Sequence, residues 1–348
     1  MLLIIVGAGA SYDSVPHLQE PHQWRPPLAD QLFDIRFAEW ARAVRQIQPI
    51  LPFLRSRPDG KSVEQVLDGL ATEAADDPER LIQLAGVRLY LHCLFRDLER
   101  RWPPPEYGPP TTYLTLFDEV RHFQPGETTA LVTFNYDRIL EGALEAKGLR
   151  METIDDYIAP DRPWWLFKVH GSSNWGREVG FQINAVGAWQ DAHELIERAA
   201  EWVLGEFHIV NNDWPIHRWE VVRTPRGSLN AGMVPAISVP FTTKPSFELP
   251  DSHMSKLIEL MPQVTRLLVI GWRAGDQPFL DLLKEHMRQP VQCMIVSLSK
   301  PDDIIERLQL GGGVAGTFST VVGGFTQFIT GRRLAEWISQ TQGSEGSA

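Results

Sequence analysis

The residues of this chain best suited to do chemistry are Asn135 and Asp137, in Thr133-Phe-Asn-Tyr-Asp137, and His170, in Lys168-Val-His-Gly171. An imidazole titrates near neutral pH, so His170 can orient or deprotonate a water or a hydroxyl, an assistance worth about 10²- to 10⁴-fold in rate. Asn135 offers a fixed amide dipole for positioning, and Asp137 a negative charge to set against a developing cation or to orient Asn135. A second kind of chemistry starts the chain. In Gly7-Ala-Gly-Ala-Ser11 the two glycines leave backbone N–H groups free to approach a phosphate, and Ser11 adds a hydroxyl. A later glycine turn, Gly271-Trp-Arg-Ala-Gly-Asp276, and Ser297 complete the set.

Each of these residue types also has a plainer use. A histidine at a strand end is more often a hydrogen-bonded structural residue, and Asn and Asp ahead of a helix form Asx turns and N-caps. Asp276 stands where it can cap a helix beginning at Gln277, Lys168 can balance nearby carboxylates, and Gly-Ala-Gly can be only a tight strand-to-helix turn. What joins them is position: each follows an apolar run that reads as a strand, a coincidence for which core packing gives no reason.

Leu2 to Val6 is aliphatic with no polar alternation, the pattern of a strand buried on both faces of a parallel sheet. Thr129–Phe134, Trp164–Val169, Val234–Val239, Leu267–Ile270 and Val291–Val296 read as further strands. Between them, helical patterns run over Thr112–Phe123, Arg138–Lys147, Met254–Met261, Gln277–Met287 and Asp302–Leu308. This alternation predicts an α/β fold, a doubly wound, mostly parallel, Rossmann-like sheet with helical insertions, whose ligand sits beyond the carboxyl ends of the strands.

One domain is expected over residues 1–330, with a helical insertion at about 29–128, an irregular one at about 176–232, and a short helix and tail over 331–348. The first insertion reads as helix from Ala29 to Ile50, carries a capping box at Ser62 and Gln65, and shows an amphipathic stripe at Val87, Tyr90, Leu91, Leu94, Phe95 and Leu98. The second is rich in Trp, with a helix expected at Ala192–Leu204. Ser14 to Leu28 holds four prolines together with His17 and His22, and reads as a loop closing over the first turn.

Composition excludes several classes. Thirty-three basic against 44 acidic residues give a net charge of −11, which opposes non-specific attachment to nucleic acid or to an anionic membrane. No apolar run approaches a membrane span, and Met1–Val6 is too short for a signal-peptide core, so a cytoplasmic protein is expected. Cys93 and Cys293 lie in apolar stretches and read as reduced core thiols; with no Cys-x-x-Cys, a zinc ribbon is excluded. His208 and His217 lie near Asp213 but lack the His-x-x-x-His spacing of a helical metal site. There is no nucleophile elbow and no P-loop lysine motif, and Tyr12 stands where the dinucleotide fingerprint has its third glycine, which disfavours a hydride-transfer Rossmann domain.

Taken in order, the corners Gly7–Ser11, Thr133–Asp137, Lys168–Gly171, Gly271–Asp276 and Ser297 resemble the Sir2 (sirtuin) family, and more closely its zinc-free SIR2-like branch of bacterial NAD-consuming proteins. The resemblance covers residues 1–13, 129–177 and 234–300. It implies that Gly7, Ala8, Gly9 and Ser11 hold the NAD pyrophosphate, that Asn135 and Asp137 meet the nicotinamide ribose and its reactive carbon, and that His170 is the catalytic histidine. It further implies that Gly271 and Asp276 contact phosphates and ribose and that Ser297 lies near the adenosine. The sequence departs from the deacylase branch in three places. It lacks the zinc cysteines, it lacks the proline-aspartate-phenylalanine-arginine stretch after Ser11, and Phe134 replaces a glutamine before Asn135. These losses count against an acyl-lysine peptide groove and leave the dinucleotide pocket untouched.

The function so implied is an NAD⁺ glycohydrolase that cleaves the nicotinamide–ribose bond to give nicotinamide and ADP-ribose, depleting NAD⁺ in bacterial antiviral defence. NAD is then a substrate and zinc is not required. The expected partners are further copies of the chain and an ATPase or nucleic-acid-guided protein, with no membrane and no direct nucleic-acid contact. Two other classes fit the same residues: a module that senses NAD or ADP-ribose without chemistry, and an NAD-dependent protein deacylase or ADP-ribosyltransferase.

Overall fold

The structure, a computed structural model, describes residues 1–14, 24–74, 77–102, 111–179, 216–218, 232–241, 247–288 and 290–342. Among these, nine strands follow one another along the chain: β1 (Leu2–Val6), β2 (Thr129–Thr133), β3 (Trp164–Lys168), β4 (Gly171–Val179), β5 (Ile216–Arg218), β6 (Gly232–Ile237), β7 (Arg266–Ile270), β8 (Val291–Ser297) and β9 (Gly316–Val322). The chain divides into two compact units. The first holds Met1–Leu28, Asp97–His170 and Thr242–Ala348, and the second Ala29–Arg96 and Gly171–Phe241.

In the first unit six strands form a parallel sheet in the order β3-β2-β1-β7-β8-β9. The chain winds outward from β1 through β2 to β3, then returns to the other side of β1 and winds outward again through β7, β8 and β9. The direction of winding reverses between β1 and β7, the place where doubly wound sheets bind ligands. This is the expected α/β Rossmann-like fold. Every residue of β1, β2 and β3 is buried, which is why these strands read as unbroken apolar runs rather than alternating ones. Helices Thr111–Phe123, Ile139–Ala146, Asp251–Leu260 and Gln277–His286 lie close to the expected bounds.

The edge strand β9 is mostly exposed and has no apolar run to announce it. Helix Arg333–Gln342 supplies the expected short terminal helix.

The second unit departs further from the expectations. The strand expected at Val234–Val239 forms as β6, but in a separate three-stranded antiparallel sheet, β5-β4-β6. Within His170-Gly-Ser-Ser-Asn-Trp175, a stretch with the residue types of a polar turn, Gly171 starts β4, whose pairing with β6 shifts register between Gly171 and Gly176. The run Ala29–Ile50 is broken into short 3₁₀ turns around one helix, Ala38–Ala43. Ser62 and Gln65 do form the reciprocal capping box on helix Val63–Glu73. The stripe Val87, Tyr90, Leu91, Leu94, Phe95 and Leu98 on helix Pro78–Arg101 is buried as its spacing demands, and Tyr90 donates a 2.6 Å hydrogen bond to the Leu32 carbonyl.

The helix expected at Ala192–Leu204, most of the loop with His17 and His22, and His208, Asp213, Trp202, Trp214 and Trp219 lie outside the described residues. No helix among the described residues is long and apolar enough to cross a membrane.

Candidate functional site

At the end of β1 the chain turns at Gly7 into a helix of five residues, Ala8–Tyr12. The turn lies directly on the one that ends β7: Gly7 N–H donates to the Ile270 carbonyl at 2.9 Å and Gly9 N–H to the Gly271 carbonyl at 3.1 Å. A Cβ on Gly7 would meet the Gly271 oxygen at 2.5 Å, and one on Gly271, whose φ is +62°, would meet the Ala10 nitrogen at 2.3 Å. The glycines thus let two strand ends touch at the switch point, and two of their N–H groups are spent there.

Ser11 is buried on the inner side of the short helix. It sits in a directional chain. Asn135 Nδ2 donates to the Gly7 carbonyl at 3.0 Å and to Ser11 Oγ at 2.9 Å, and Ser11 Oγ in turn donates to Asp137 Oδ1 at 3.2 Å. A backbone carbonyl only accepts, so the Gly7 contact fixes which end of the Asn135 amide is nitrogen. The other end, Oδ1, is buried and has no hydrogen-bond partner among the described residues. Asp137 Oδ1 also accepts from Ile139 N–H at 3.1 Å, an Asx-type bond at the start of the following helix. Burial pushes the Asp137 carboxyl above its ordinary value, and the Lys168 ammonium and the Ile139 N–H oppose that rise.

Beneath this corner lies a second buried group. Lys168, the last residue of β3, reaches the Asp137 carbonyl at 2.5 Å and Glu141 Oε1 at 2.9 Å, and both side chains of this ion pair are 0 % exposed. Tyr157 donates its hydroxyl to the same Glu141 oxygen at 3.4 Å. Tyr113 is also fully buried; burial first, then the Asp137 charge, push its hydroxyl well above the usual tyrosine range.

His170 continues β3 outward, with Val169 N–H bonded to the Thr133 carbonyl at 3.2 Å. Thr133 pairs with Lys168 in the sheet, so Asn135 and His170 each stand two residues beyond paired neighbours on adjacent strands. His170 Nε2 meets Asp276 Oδ2 at 2.7 Å, and both side chains are buried. Asp276 Oδ1 accepts from Phe279 N–H at 3.0 Å, so one carboxylate both caps helix Gln277–His286 and holds the imidazole. The Phe134 ring stands edge-on to His170 with centroids 4.9 Å apart and stacks on Trp272 at 4.7 Å.

The site residues named from sequence therefore fall into three groups along one sheet edge. Gly7, Gly9, Ser11, Asn135, Asp137 and Gly271 are linked by direct bonds or backbone contact, with Ala8 opening the short helix among them. His170 and Asp276 form the second group. Ser297 ends β8, two strands from β1, where its hydroxyl bonds to the Ser299 carbonyl. Nothing in the local sequence marks Glu141, Tyr157, Tyr113 or Trp272 as belonging here. The available signal was Lys168 itself, a cation inside the apolar run Trp164-Trp-Leu-Phe-Lys-Val169, which must find a buried anion. Among the described residues no group of three or more His, Cys, Asp or Glu side chains could hold a metal ion.

No family model matches the sequence, and no curated protein matches it. Among solved structures, the chain is similar to a sirtuin studied for its substrate affinity, at 16 % identity and a TM-score of 0.40 over 97 % of this chain and 93 % of that one. It is similar also to Sir2Tm bound to a propionylated peptide, at 14 % identity and a TM-score of 0.38 over 97 % and 92 %. A Sir2 homolog–NAD complex gives 12 % and 0.39 over 99 % and 90 %. Likenesses of this size assign no residue a role.

Proposed function

We propose that this protein is an NAD⁺ glycohydrolase of SIR2-like type, which cleaves the nicotinamide–ribose bond with water to give nicotinamide, ADP-ribose and a proton. The observation that carries the reading is the Asn135 amide oxygen. It is buried, without a partner among the described residues and fixed in orientation, and it follows β2, the strand next to β3, which leads to the buried His170–Asp276 pair. An orphaned buried acceptor carries a desolvation cost of about 1–3 kcal/mol, which a ribose hydroxyl or an ordered water would relieve.

The chemistry suits these groups. Nicotinamide leaves as a neutral amine from a cationic glycoside, so its departure needs no acid, unlike that of an ordinary sugar leaving group. One base suffices. Asp276 holds the imidazole by Nε2 at 2.7 Å and so sets the ring that would take a proton from water or a ribose hydroxyl. Asn135 positions the ribose, and Asp137, through Ser11, keeps the Asn135 amide pointing the same way. The sequence resemblance adds a biological role, depletion of NAD⁺ in antiviral defence through an assembled, activated state.

The test is to incubate purified protein with NAD⁺ across a range of protein concentrations and to follow nicotinamide and ADP-ribose. Equimolar release by the wild type is expected, with Asn135→Ala and His170→Ala each reduced about 10²-fold or more while remaining folded. Wild type and both variants equally silent would overturn the enzyme reading, and tight NAD⁺ binding without turnover would replace it with a sensing module.

A further inference from the structure

Lys168 and Glu141 are an ion pair with no access to water, and a pair of that kind is poorly explained by stability, because apolar residues of similar volume commonly replace one at no loss. Its placement suggests another purpose. Lys168 is donor-only, and besides Glu141 it bonds the carbonyl of Asp137, the residue at the far end of the chain of hydrogen bonds that begins at Asn135. We infer that the Lys168–Glu141 pair is a positioning device that anchors the Asp137 corner and, through Ser11, holds the Asn135 amide in the orientation that the Gly7 carbonyl selects, an inference that rests on the proposed reaction for its consequence but not for its geometry.

The polarity runs as follows. The Lys168 ammonium anchors the Asp137 corner by its backbone carbonyl, and Asp137 Oδ1 accepts there from the Ile139 N–H, which marks that oxygen as an acceptor. Ser11 must therefore give its hydroxyl proton to Asp137 and turn a lone pair toward Asn135. Only the NH₂ end of Asn135 can meet that lone pair and the Gly7 carbonyl together, so Oδ1 is turned in a direction in which the described residues supply no donor. Glu141 offsets the Lys168 charge, with Tyr157 holding the same oxygen, so that the ammonium stays buried rather than being drawn out to solvent. No covalent step is involved. Lys168 acts only through Asp137 and Ser11.

Lys168→Met alone strands a buried carboxylate and can fail to fold, so the test uses the double variant Lys168→Met/Glu141→Leu, which removes both charges. Its melting temperature is expected to match or exceed that of the wild type. Nicotinamide release is expected to lose about a hundredfold in kcat with KM for NAD⁺ within twofold, because orientation and not binding is lost. Independently of activity, the side-chain amide cross-peaks of Asn135, assigned by their disappearance in Asn135→Ala, are expected to move or broaden in the double variant. A folded double variant with kcat within twofold of wild type, or with the Asn135 cross-peaks unmoved, overturns the inference. A wild type that releases no nicotinamide sinks the proposed reaction and leaves the cross-peaks to decide the positioning claim by themselves.

Discussion

Lys168 shows how far a single side chain can be read. Its burial inside an apolar strand required an anion, but nothing in the sequence says that the anion is Glu141, 27 positions back on the following helix of a neighbouring strand unit, nor that the same ammonium reaches the Asp137 backbone. Removing it alone, in Lys168→Met, should cost about 3–5 kcal/mol in a urea melt, most of which Glu141→Leu in the same chain should restore. The conservative change Asn135→Asp is expected to be worse for activity than its size suggests. It replaces the NH₂ donor facing the Gly7 carbonyl with an oxygen, so nicotinamide release should fall about as far as in Asn135→Ala. Asn135, Asp137 and His170 were legible from their types and their place after apolar runs. The bonds among them were not, because a hydrogen bond from residue 135 to residue 7 has no counterpart in local spacing.

At the scale of elements, strands buried on both faces announced themselves and the others did not. β1, β2, β3, β7 and β8 are mostly apolar, and the polar residues at their carboxyl ends fall along one edge of the sheet. β9, exposed along most of its length, and β4, which begins in Gly-Ser-Ser-Asn, carry the residue types of turns, and only their partners make them strands. The glycine turn after β1 resembles a phosphate cradle in sequence, and the structure supplies a packing reason for the same residues. Gly271→Ala must adopt a positive φ and press its Cβ into Ala10, so a loss of about 2–4 kcal/mol is expected by thermal or chemical melting. Gly142→Ala, at a helical position with open space around it, should be neutral or slightly stabilising by the same measurement.

For the molecule as a whole, two buried imidazoles set its behaviour in acid. Burial holds His253, whose ring bonds the Ile154 carbonyl at 2.9 Å, down to about 4, and burial with the nearby Arg96 holds His92 down to about 3. Below pH 6.5 the unfolded chain binds protons at these positions that the folded chain refuses. Stability is therefore full above that value and falls as pH drops toward 4, by on the order of 2–3 kcal/mol for each imidazole. Urea midpoints at pH 7 and pH 4.5 should show this fall, and His253→Gln should make it shallower.

The topology that reverses direction between β1 and β7 gathers Gly7, Asn135, His170 and Gly271 at adjacent strand ends, and the account depends on a dinucleotide lying there. A crystal structure with ADP-ribose bound tests this most directly. The account predicts a ribose hydroxyl within about 3 Å of Asn135 Oδ1, with His170 beside the same sugar. ADP-ribose bound elsewhere on the protein, with the Asn135 oxygen still unpartnered, would contradict it.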